Sequence, residues 1–438
     1  MARKILIGLL VTGLVLLAAA AGFIVYMETR PAAETPVTTT EAPAETTEIP
    51  TTEAPTTVPP TTVPPTTEPA PTETEPQEVR YTLTFTGDCT LASAPSHYNN
   101  SQGFIKTVGE DYGFPFRNVL EFFENDDFTI INLESVLADA GGAADKLFTF
   151  RGPVAYTQIM TSSSVEAVTL ANNHTMDYGK EGYESTTKAL TDAGIWFVEE
   201  NKTQLVTTES GLVIGLYADS FTFSAADIQK NVKSLRDQGA EIIICAFHWG
   251  TEGSYRATGQ QKQMAHAAID AGADIVYGHH PHVLQPIEEY NDGYIFYSLG
   301  NFSFGGNHFP RDMDSAIVQV QVLRDADGAV SLEGMTIIPV SISSMQGQNN
   351  FQPTPYEEGT KEYDRALSKL DGTFNGPDLN VNYDHLKPTE APTQAPTEAP
   401  AATEAPASTQ APAEPPAQEP PAEEPPAQEP PADVPNPT

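Results

Sequence analysis

Short apolar runs alternate with longer amphipathic stretches through the middle of the chain. Runs rich in valine, isoleucine and phenylalanine predict strands at residues 81–86, 128–133, 167–171, 213–217, 241–247, 274–277 and 294–298. Apolar positions that recur every three or four residues predict helices at 116–124, 180–193, 225–238 and 259–271. Because each helix is followed by a short apolar strand, the pattern predicts βαβ units and an α/β fold with helices on the outer faces.

The later segments have a different pattern. Residues 316–323 and 330–338 alternate between apolar and polar positions, which predicts strands of a more antiparallel layer. Residues 349–385 are rich in Asn, Asp, Gly and Tyr, with one helix-like piece at 361–370. This segment either packs on the domain or begins the C-terminal tail, and the pattern leaves both alternatives open.

The two ends of the chain consist largely of threonine, proline, glutamate and alanine. Neither end contains enough apolar side chain to offset the entropy cost of ordering it. We therefore expect these regions: a disordered stalk at 31–79, a folded domain at 80–345, a C-terminal extension at 346–387 and a disordered tail at 388–438.

An apolar segment at residues 5–27 precedes the stalk, and its length is close to the ~20 residues that span a bilayer. Because Arg3 and Lys4 precede it, residues 1–30 are predicted to be a cytoplasmic stub and a single-pass transmembrane helix, with the folded domain outside the cell. The alternative is a cleaved signal peptide with a cleavage site near residues 18–20, although the apolar regions of such peptides usually have only about 7–15 residues.

Charge and cysteine content narrow the function further. The formal net charge is −37, and an acidic chain without a basic stripe is a poor candidate for nucleic-acid binding. The two cysteines, Cys89 and Cys245, are too few for a disulfide scaffold. Two buried thiols are favoured, and a single disulfide between them is the alternative.

Polar clusters follow five of the predicted strands. They are Thr86-Gly87-Asp88, Asn132-Leu133-Glu134, Asn172-Asn173-His174 with Asp177 beyond it, the segment HWGTE from His248, and Gly278-His279-His280-Pro281-His282. Ligand sites of α/β sheets collect at the carboxyl ends of strands, so these clusters are expected to converge. A lone Asp or His after a strand is usually structural, but three imidazoles within four positions indicate a ligand or catalytic role. Carboxylate, amide and imidazole ligands suit Zn, Mn or Fe.

Six segments carry a resemblance to a known family. The segments TLTFTGDCTLAS, INLESVLAD, LANNHTMDYG, AFHWGTE, YGHHPHVLQPIE and YSLGNFSF resemble, in order, the signatures of the CapA family of poly-γ-glutamate capsule synthesis. That family is similar to the calcineurin-like metallophosphoesterases. The resemblance covers nearly all of the predicted folded region, and it implies a four-layer αββα sandwich whose site binds two metals.

The resemblance also implies roles for individual residues. The implied metal ligands are Asp88, Glu134, Asn173, His248, His280 and His282. His174 matches the histidine that protonates the leaving group, and Asp177 is expected to orient it. Arg151 in FTFRGP is expected to hold an anionic substrate group, and His279 is also assigned to substrate binding.

Two departures separate this chain from ordinary phosphoesterases. Their first motif is Asp-x-His, whereas this chain has Asp88-Cys89-Thr90, so one metal loses an imidazole. Asn132-Leu133-Glu134 stands where Gly-Asp and a bridging Asp are expected. CapA proteins share both departures, which favour that family over ordinary phosphatase activity. One or two divalent ions are therefore expected, with a single tight ion favoured.

The resemblance implies a surface protein that makes, exports or attaches poly-γ-glutamate or a similar polymer, with a metallohydrolase-like site. Whether it catalyses a reaction is left open. The alternatives are a metal-dependent extracellular phosphoesterase and a non-enzymatic scaffold tethered on the stalk. The expected partners are an anionic polymer or a phosphorylated substrate, other membrane components of polymer synthesis, and the membrane through the N-terminal helix.

Overall fold

The computed structural model describes residues 77–97 and 103–381. The predicted anchor, most of the stalk, and the C-terminal tail lie outside these residues. Within the described ranges, no helix has the length and apolar character needed to cross a membrane.

The strands and helices follow the predicted order. The strands are β1 (Val79–Thr90), β2 (Phe128–Leu133), β3 (Val136–Leu137), β4 (Arg151–Gly152), β5 (Ala167–Thr169), β6 (Trp196–Val198), β7 (Lys202–Thr207), β8 (Val213–Ser220), β9 (Ile242–His248), β10 (Ile275–His279), β11 (Ile287–Tyr290), β12 (Gly293–Phe296), β13 (Asn301–Phe304), β14 (Asp314–Arg324), β15 (Val330–Ser341) and β16 (Thr354–Pro355). The helices are α1 (Phe104–Val108), α2 (Leu120–Glu124), α3 (Thr157–Thr161), α4 (Gly179–Asp192), α5 (Ala225–Asp237), α6 (Gly259–Asp270) and α7 (Lys361–Leu370).

Two β-sheets form the centre of the domain. The first has the strand order β16-β15-β14-β1-β2-β5-β6, with β13 paired to β1, and the second has the order β11-β12-β10-β9-β8-β7. Strands β1, β2, β5 and β6 are parallel, as are β8, β9, β10 and β12. Strands β14 and β15 add the antiparallel part of the first sheet. The predicted α/β fold with an antiparallel addition is confirmed.

Three apolar clusters show how the layers pack. One cluster joins the facing surfaces of the two sheets through residues such as Leu83, Ile130 and Ile244. The other two lie on the outer faces of the sheets, where α4 covers the first sheet and α5 and α6 cover the second. Helices α5 and α6 begin near the predicted residues because Ser224 and Thr258 each form a capping box.

The cysteines lie in different clusters. Cys89 belongs to the cluster outside the first sheet, and Cys245 belongs to the cluster outside the second. Both are buried and free, so the prediction of two buried thiols is confirmed and the alternative of a disulfide is wrong.

The described part of the C-terminal extension packs on the domain. Ala366 and Leu370 of α7 enter the cluster between the sheets. Lys369, only 2% exposed, donates hydrogen bonds to Asp312 and Asp314 at 2.6 and 2.7 Å. Of the two alternatives left open by the sequence, packing on the domain is therefore observed as far as residue 381.

Candidate metal centre

The carboxyl ends of five parallel strands, three from the first sheet and two from the second, meet at one edge of the domain. The predicted ligands at these ends are Asp88 in β1, Glu134 after β2, Asn173 after β5, His248 in β9, and His280 and His282 after β10. The structure brings all six together. Because the first three come from one sheet and the histidines from the other, the centre lies across the junction of the two sheets.

A bulge in β1 directs Asp88 toward this junction. Residues Leu83 and Phe85 face the second sheet, but the pairing register with β2 shifts between Phe85 and Asp88, and Cys89 then faces the outer cluster. The neighbouring Gly87 permits close packing, since a Cβ there would lie 2.3 Å from the carbonyl oxygen of Gly300. The Asp88 amide donates to that oxygen at 2.8 Å.

Glu134 lies at the buried side of the centre. Its side chain is 1% exposed, and neither carboxylate oxygen has a hydrogen-bond partner among the described residues. The Nε2 atoms of His248, His282 and His174 lie 3.6, 3.8 and 4.0 Å from Glu134 Oε1. Ligands on a tetrahedral ion at ~2.1 Å are about 3.4 Å apart, so the spacing fits a shared cation better than hydrogen bonds.

Three overlapping triads have ligand atoms within 4.8 Å of one another. They are Glu134–His248–His280, Asp88–Glu134–His282 and Glu252–His280–His282. Glu134 belongs to two of them, which is the arrangement of a bridging carboxylate. Asn173 adds its Oδ1 atom, 2.8 Å from His248 Nε2. The residues present therefore fit a divalent cation, with room for one or two positions.

Burial sets the protonation of most of these groups. Burial raises the pKa of Glu134 well above the usual range of a glutamate. It lowers the pKa of His248 well below the usual range of a histidine, and it lowers the pKa of His280 to about 4. Both imidazoles are therefore neutral at pH 7, the form that binds metals. For Asp88, burial is outweighed by hydrogen bonds from His279 and His282, which hold its pKa well below the usual range.

His282 carries the compensating charge. Burial alone would lower its pKa, but Glu134 and Asp88 raise it to about 10. Its Nδ1 atom lies 2.9 Å from Asn301 Oδ1 and 3.3 Å from Asp88 Oδ2. A proton on His282 thus balances the Asp88 carboxylate, and burial favours the protonated form of Glu134; a bound cation would take the place of these protons.

His174 and Asp177 form a fixed pair beside the centre. His174 Nδ1 lies 2.7 Å from Asp177 Oδ2, and Asp177 also accepts from the Phe150 amide and from Lys146 Nζ, both at 2.6 Å. The ring is therefore held with Nε2 toward Glu134. Burial lowers the pKa of His174, although Asp177 opposes this effect.

A cleft of about 430 Å³ opens beside the centre. Among the residues that line it are Phe150, His174, Glu252, His282 and Arg311. The side of the centre that faces this cleft is the side from which a substrate can approach.

The two predicted substrate contacts lie elsewhere. The Arg151 guanidinium donates to the Gly141 carbonyl and lies 4.8 Å from the centre of the Tyr178 ring, and Arg151 does not line the cleft. Its neighbour Phe150 does, because adjacent side chains of an extended segment point in opposite directions. His279 is 2% exposed, and its Nδ1 atom contacts Asp88 Oδ1 at 2.8 Å, which places it behind Asp88 rather than in the cleft.

Three residues of the site were not predicted. Glu252 lies within the segment HWGTE and Asn301 within the segment YSLGNFSF. The sequence pattern indicates both segments but assigns no role to either side chain. Phe221, with φ 51°, places its ring 5.6 Å from that of His248 and 4.9 Å from that of His280. A phenylalanine after an apolar strand gives no signal of this position in the sequence.

The model of a family described as "Bacterial capsule synthesis protein PGA_cap" matches residues 82–306 of this chain. The chain belongs to the PGA_cap family. Its resemblance to CapA is thereby confirmed, and the PGA_cap match spans all six segments that carried it.

Relatives of this PGA_cap chain include two CapA proteins. The capsule biosynthesis protein CapA of Bacillus anthracis is 29% identical over 292 residues, 60% of this chain and 68% of that protein. The PGA biosynthesis protein CapA of Bacillus subtilis is 29% identical over 308 residues, 64% of this chain and 80% of that protein. A probable polyglutamine synthesis accessory protein of Mycobacterium tuberculosis is 27% identical over 288 residues, 55% of this chain and 73% of that protein.

Solved structures were also compared with this PGA_cap chain. The NAD nucleotidase of Haemophilus influenzae has a TM-score of 0.35 and 14% identity, with 68% of this chain and 56% of that one covered. A purple acid phosphatase from yellow lupin seeds has a TM-score of 0.29 and 13% identity, with 60% of this chain and 54% of that one covered. This chain therefore spans less than two thirds of either structure.

Proposed function

We propose that the protein acts in the synthesis, export or attachment of a polyanionic surface polymer such as poly-γ-glutamate, through a metallohydrolase-like site. Membership of the PGA_cap family supports the polymer. The observation that carries the site is the Glu134 carboxylate, which is buried without a hydrogen-bond partner among the described residues and is faced by three imidazole nitrogens. We further propose that the two sheets with outer helices form the four-layer αββα sandwich of the metallophosphoesterases.

The proposed metal ligands are Asp88, Glu134, Asn173, His248, His280 and His282. Zn, Mn or Fe suits this mixed set, and one or two ions would supply a Lewis acid that polarises a carbonyl or phosphoryl oxygen. His174 donates its Nδ1–H to Asp177 and presents Nε2 beside the cleft, as the atom that would take up a proton and give it to a leaving group. The ring of Phe150, 4.6 Å from that of His174, excludes water from one side of this pair.

The proposed location is the cell surface. Residues 1–30 would anchor the chain in the membrane, residues 31–79 would form a stalk, and the domain would face outward. The apolar segment at 5–27 and the two preceding basic residues support this proposal, which rests on the sequence alone. The anchored domain would act beside other membrane components of polymer synthesis.

The phosphoesterase alternative has weaker support. Arg151, the predicted contact for an anionic group, does not line the cleft. Thr90 stands where such enzymes have an imidazole, and its hydroxyl is buried without a hydrogen-bond partner among the described residues. The scaffold alternative would be favoured if the centre took up no metal.

Metal content tests the proposed centre against the scaffold alternative. The full-length protein, incubated with Zn, Mn or Fe salts and desalted, is analysed by mass spectrometry of the elements. Replacement of His280 or His248 with Ala should lower the metal content, whereas His174→Ala should retain it. The control is His266→Ala, because His266 lies on α6 and contacts Glu288 of β11, away from the centre. Full retention of metal by His280→Ala, or no uptake by the unaltered protein, would leave the scaffold alternative.

A further inference from the structure

A carboxylate outside the predicted ligand set lies on the open side of the centre. Glu252 follows β9, and its carboxylate lies within 4.8 Å of ligand nitrogens of His280 and His282. It lines the cleft together with His174, whereas Glu134 is only 1% exposed. Two carboxylates therefore flank neighbouring imidazoles, one sealed inside the domain and the other facing the substrate cleft.

The loop that carries Glu252 is held from behind by the C-terminal extension. Gly253, with φ 73°, packs so closely that a Cβ would lie 2.7 Å from Val381, and its carbonyl accepts from the Leu379 amide at 2.9 Å. Asp378 accepts from the Tyr255 amide at 2.9 Å and from Arg256 at 2.8 Å. This loop is therefore fixed before a substrate arrives, as a catalytic group requires.

The charge of Glu252 bears on the substrate. A phosphate group bound at the open side would place its negative oxygens beside this carboxylate, and like charges at such distances repel. A neutral carbonyl group avoids that repulsion. Among the described residues that line the cleft, Arg311 is the one arginine or lysine, and it also lines an adjoining cavity of about 840 Å³. The two spaces share the wall from Phe309 to Asp312, so a chain longer than the cleft can continue past Arg311.

We propose that Glu252 is the general base of the site and that the bond cleaved is a neutral amide within a chain of carboxylate-bearing residues. This inference rests on the proposed function. Water in the cleft gives one proton to Glu252 as its oxygen bonds to the carbonyl carbon. Glu252 passes this proton to the unprotonated Nε2 of His174, whose Nδ1–H is donated to Asp177. The carbon–nitrogen bond then breaks as the nitrogen takes the proton from His174 Nε2, which restores both groups, and the products are a carboxylic acid and an amine.

The test compares Glu252→Gln with the matched control Glu289→Gln, an exposed glutamate of β11. Full-length proteins are loaded with Mn²⁺, and three quantities are measured: metal content, release of amines from a γ-glutamyl oligomer, and binding of inorganic phosphate by calorimetry. Glu252→Gln should keep its metal, lose amide cleavage by about 10²-fold or more, and bind phosphate several-fold more tightly than the unaltered protein. Glu289→Gln should resemble the unaltered protein in all three.

Other results would overturn the inference in distinct ways. Loss of metal in Glu252→Gln would make Glu252 a ligand, and unchanged amide cleavage would exclude it as the base. If the unaltered protein holds metal and cleaves bis(p-nitrophenyl) phosphate but not the γ-glutamyl oligomer, the amide substrate is refuted. The same holds if the metal-loaded protein cleaves neither substrate. A protein that takes up no metal would instead refute the proposed function itself.

Discussion

Replacement of Glu134 with Gln should change stability and metal binding in opposite directions. In the metal-free protein, the carboxylate is buried with no hydrogen-bond partner in the part of the chain that the structure describes, so its charge is costly to hold. Gln keeps the size of the side chain and removes the charge. The metal-free variant should therefore be more stable than the unaltered protein. It should also lose most of its affinity for metal, because an amide oxygen is a weaker ligand than a bridging carboxylate.

The gain in stability of the metal-free Glu134→Gln variant has an upper bound. Burial raises the pKa of Glu134 above the 4.5 of an unperturbed glutamate, so the folded protein binds a proton that the unfolded chain has lost. At pH 7.5, which is three units higher, protonation limits the penalty to about 4 kcal/mol at ~1.4 kcal/mol per unit. The gain from Glu134→Gln should therefore be positive and no larger than this value at pH 7.5, shrink as the pH falls, and vanish near pH 4.

Urea denaturation in the presence of EDTA measures the gain in stability of the metal-free variant. The same experiment with metal at a thousandfold excess over its Kd measures the loss of metal binding. Saturation at that level should stabilise the unaltered protein by about 4 kcal/mol and should barely change the variant. Glu289→Gln serves again as the control. If Glu134→Gln is no more stable than the unaltered protein in EDTA at pH 7.5, Glu134 is not the unpaired charge described above.

Three further predictions concern other parts of the chain. Burial raises the pKa of Glu166 to about 7, so the fold loses stability as the pH rises from about 4.5 to 7. In urea denaturation, Glu166→Gln should be more stable than the unaltered protein by up to about 3 kcal/mol at pH 8 and equal to it at pH 4. Lys369→Met should cost about 3–5 kcal/mol because it leaves Asp312 and Asp314 buried with less compensation, whereas the exposed Lys361→Met should cost little; equal urea midpoints would show that the extension is not part of the fold. The protein should sediment with membranes and be digested by protease added outside cells, and a mature form in the medium that starts near residue 20 would contradict the anchor.

The sequence predicted that the six proposed ligands come together because each lies at the end of a buried strand, and the carboxyl ends of parallel strands must meet. It could not predict side-chain directions beyond those ends. Strand β1 was expected to end at residue 86, since Gly87-Asp88 resembles a turn, but pairing with β13 continues it to Thr90. The sequence also did not indicate the side of the chain to which Arg151 points. Neighbouring side chains of an extended segment point to opposite sides, so an error of one position places a side chain on the wrong side.

A helix was also predicted too long at its start. The spacing of Phe116, Val119 and Phe123 suits one face of a helix from residue 116, yet α2 begins at Leu120 and the preceding residues form turns. All three side chains are buried in the cluster outside the first sheet. Apolar spacing thus predicted which residues are buried more reliably than it predicted the backbone that buries them.

The division of the ligands between the two sheets has a mechanical consequence. Of the proposed ligands, Asp88, Glu134 and Asn173 belong to one sheet and His248, His280 and His282 to the other. The contact between the sheets is largely apolar, with cross-sheet hydrogen bonds such as the one from the Tyr277 hydroxyl to the Thr86 carbonyl. An ion bound by both sets of ligands would hold the two sheets together at one edge of the domain. Metal supply would then govern how firmly the two sheets hold their alignment, and with it the width of the cleft beside the centre.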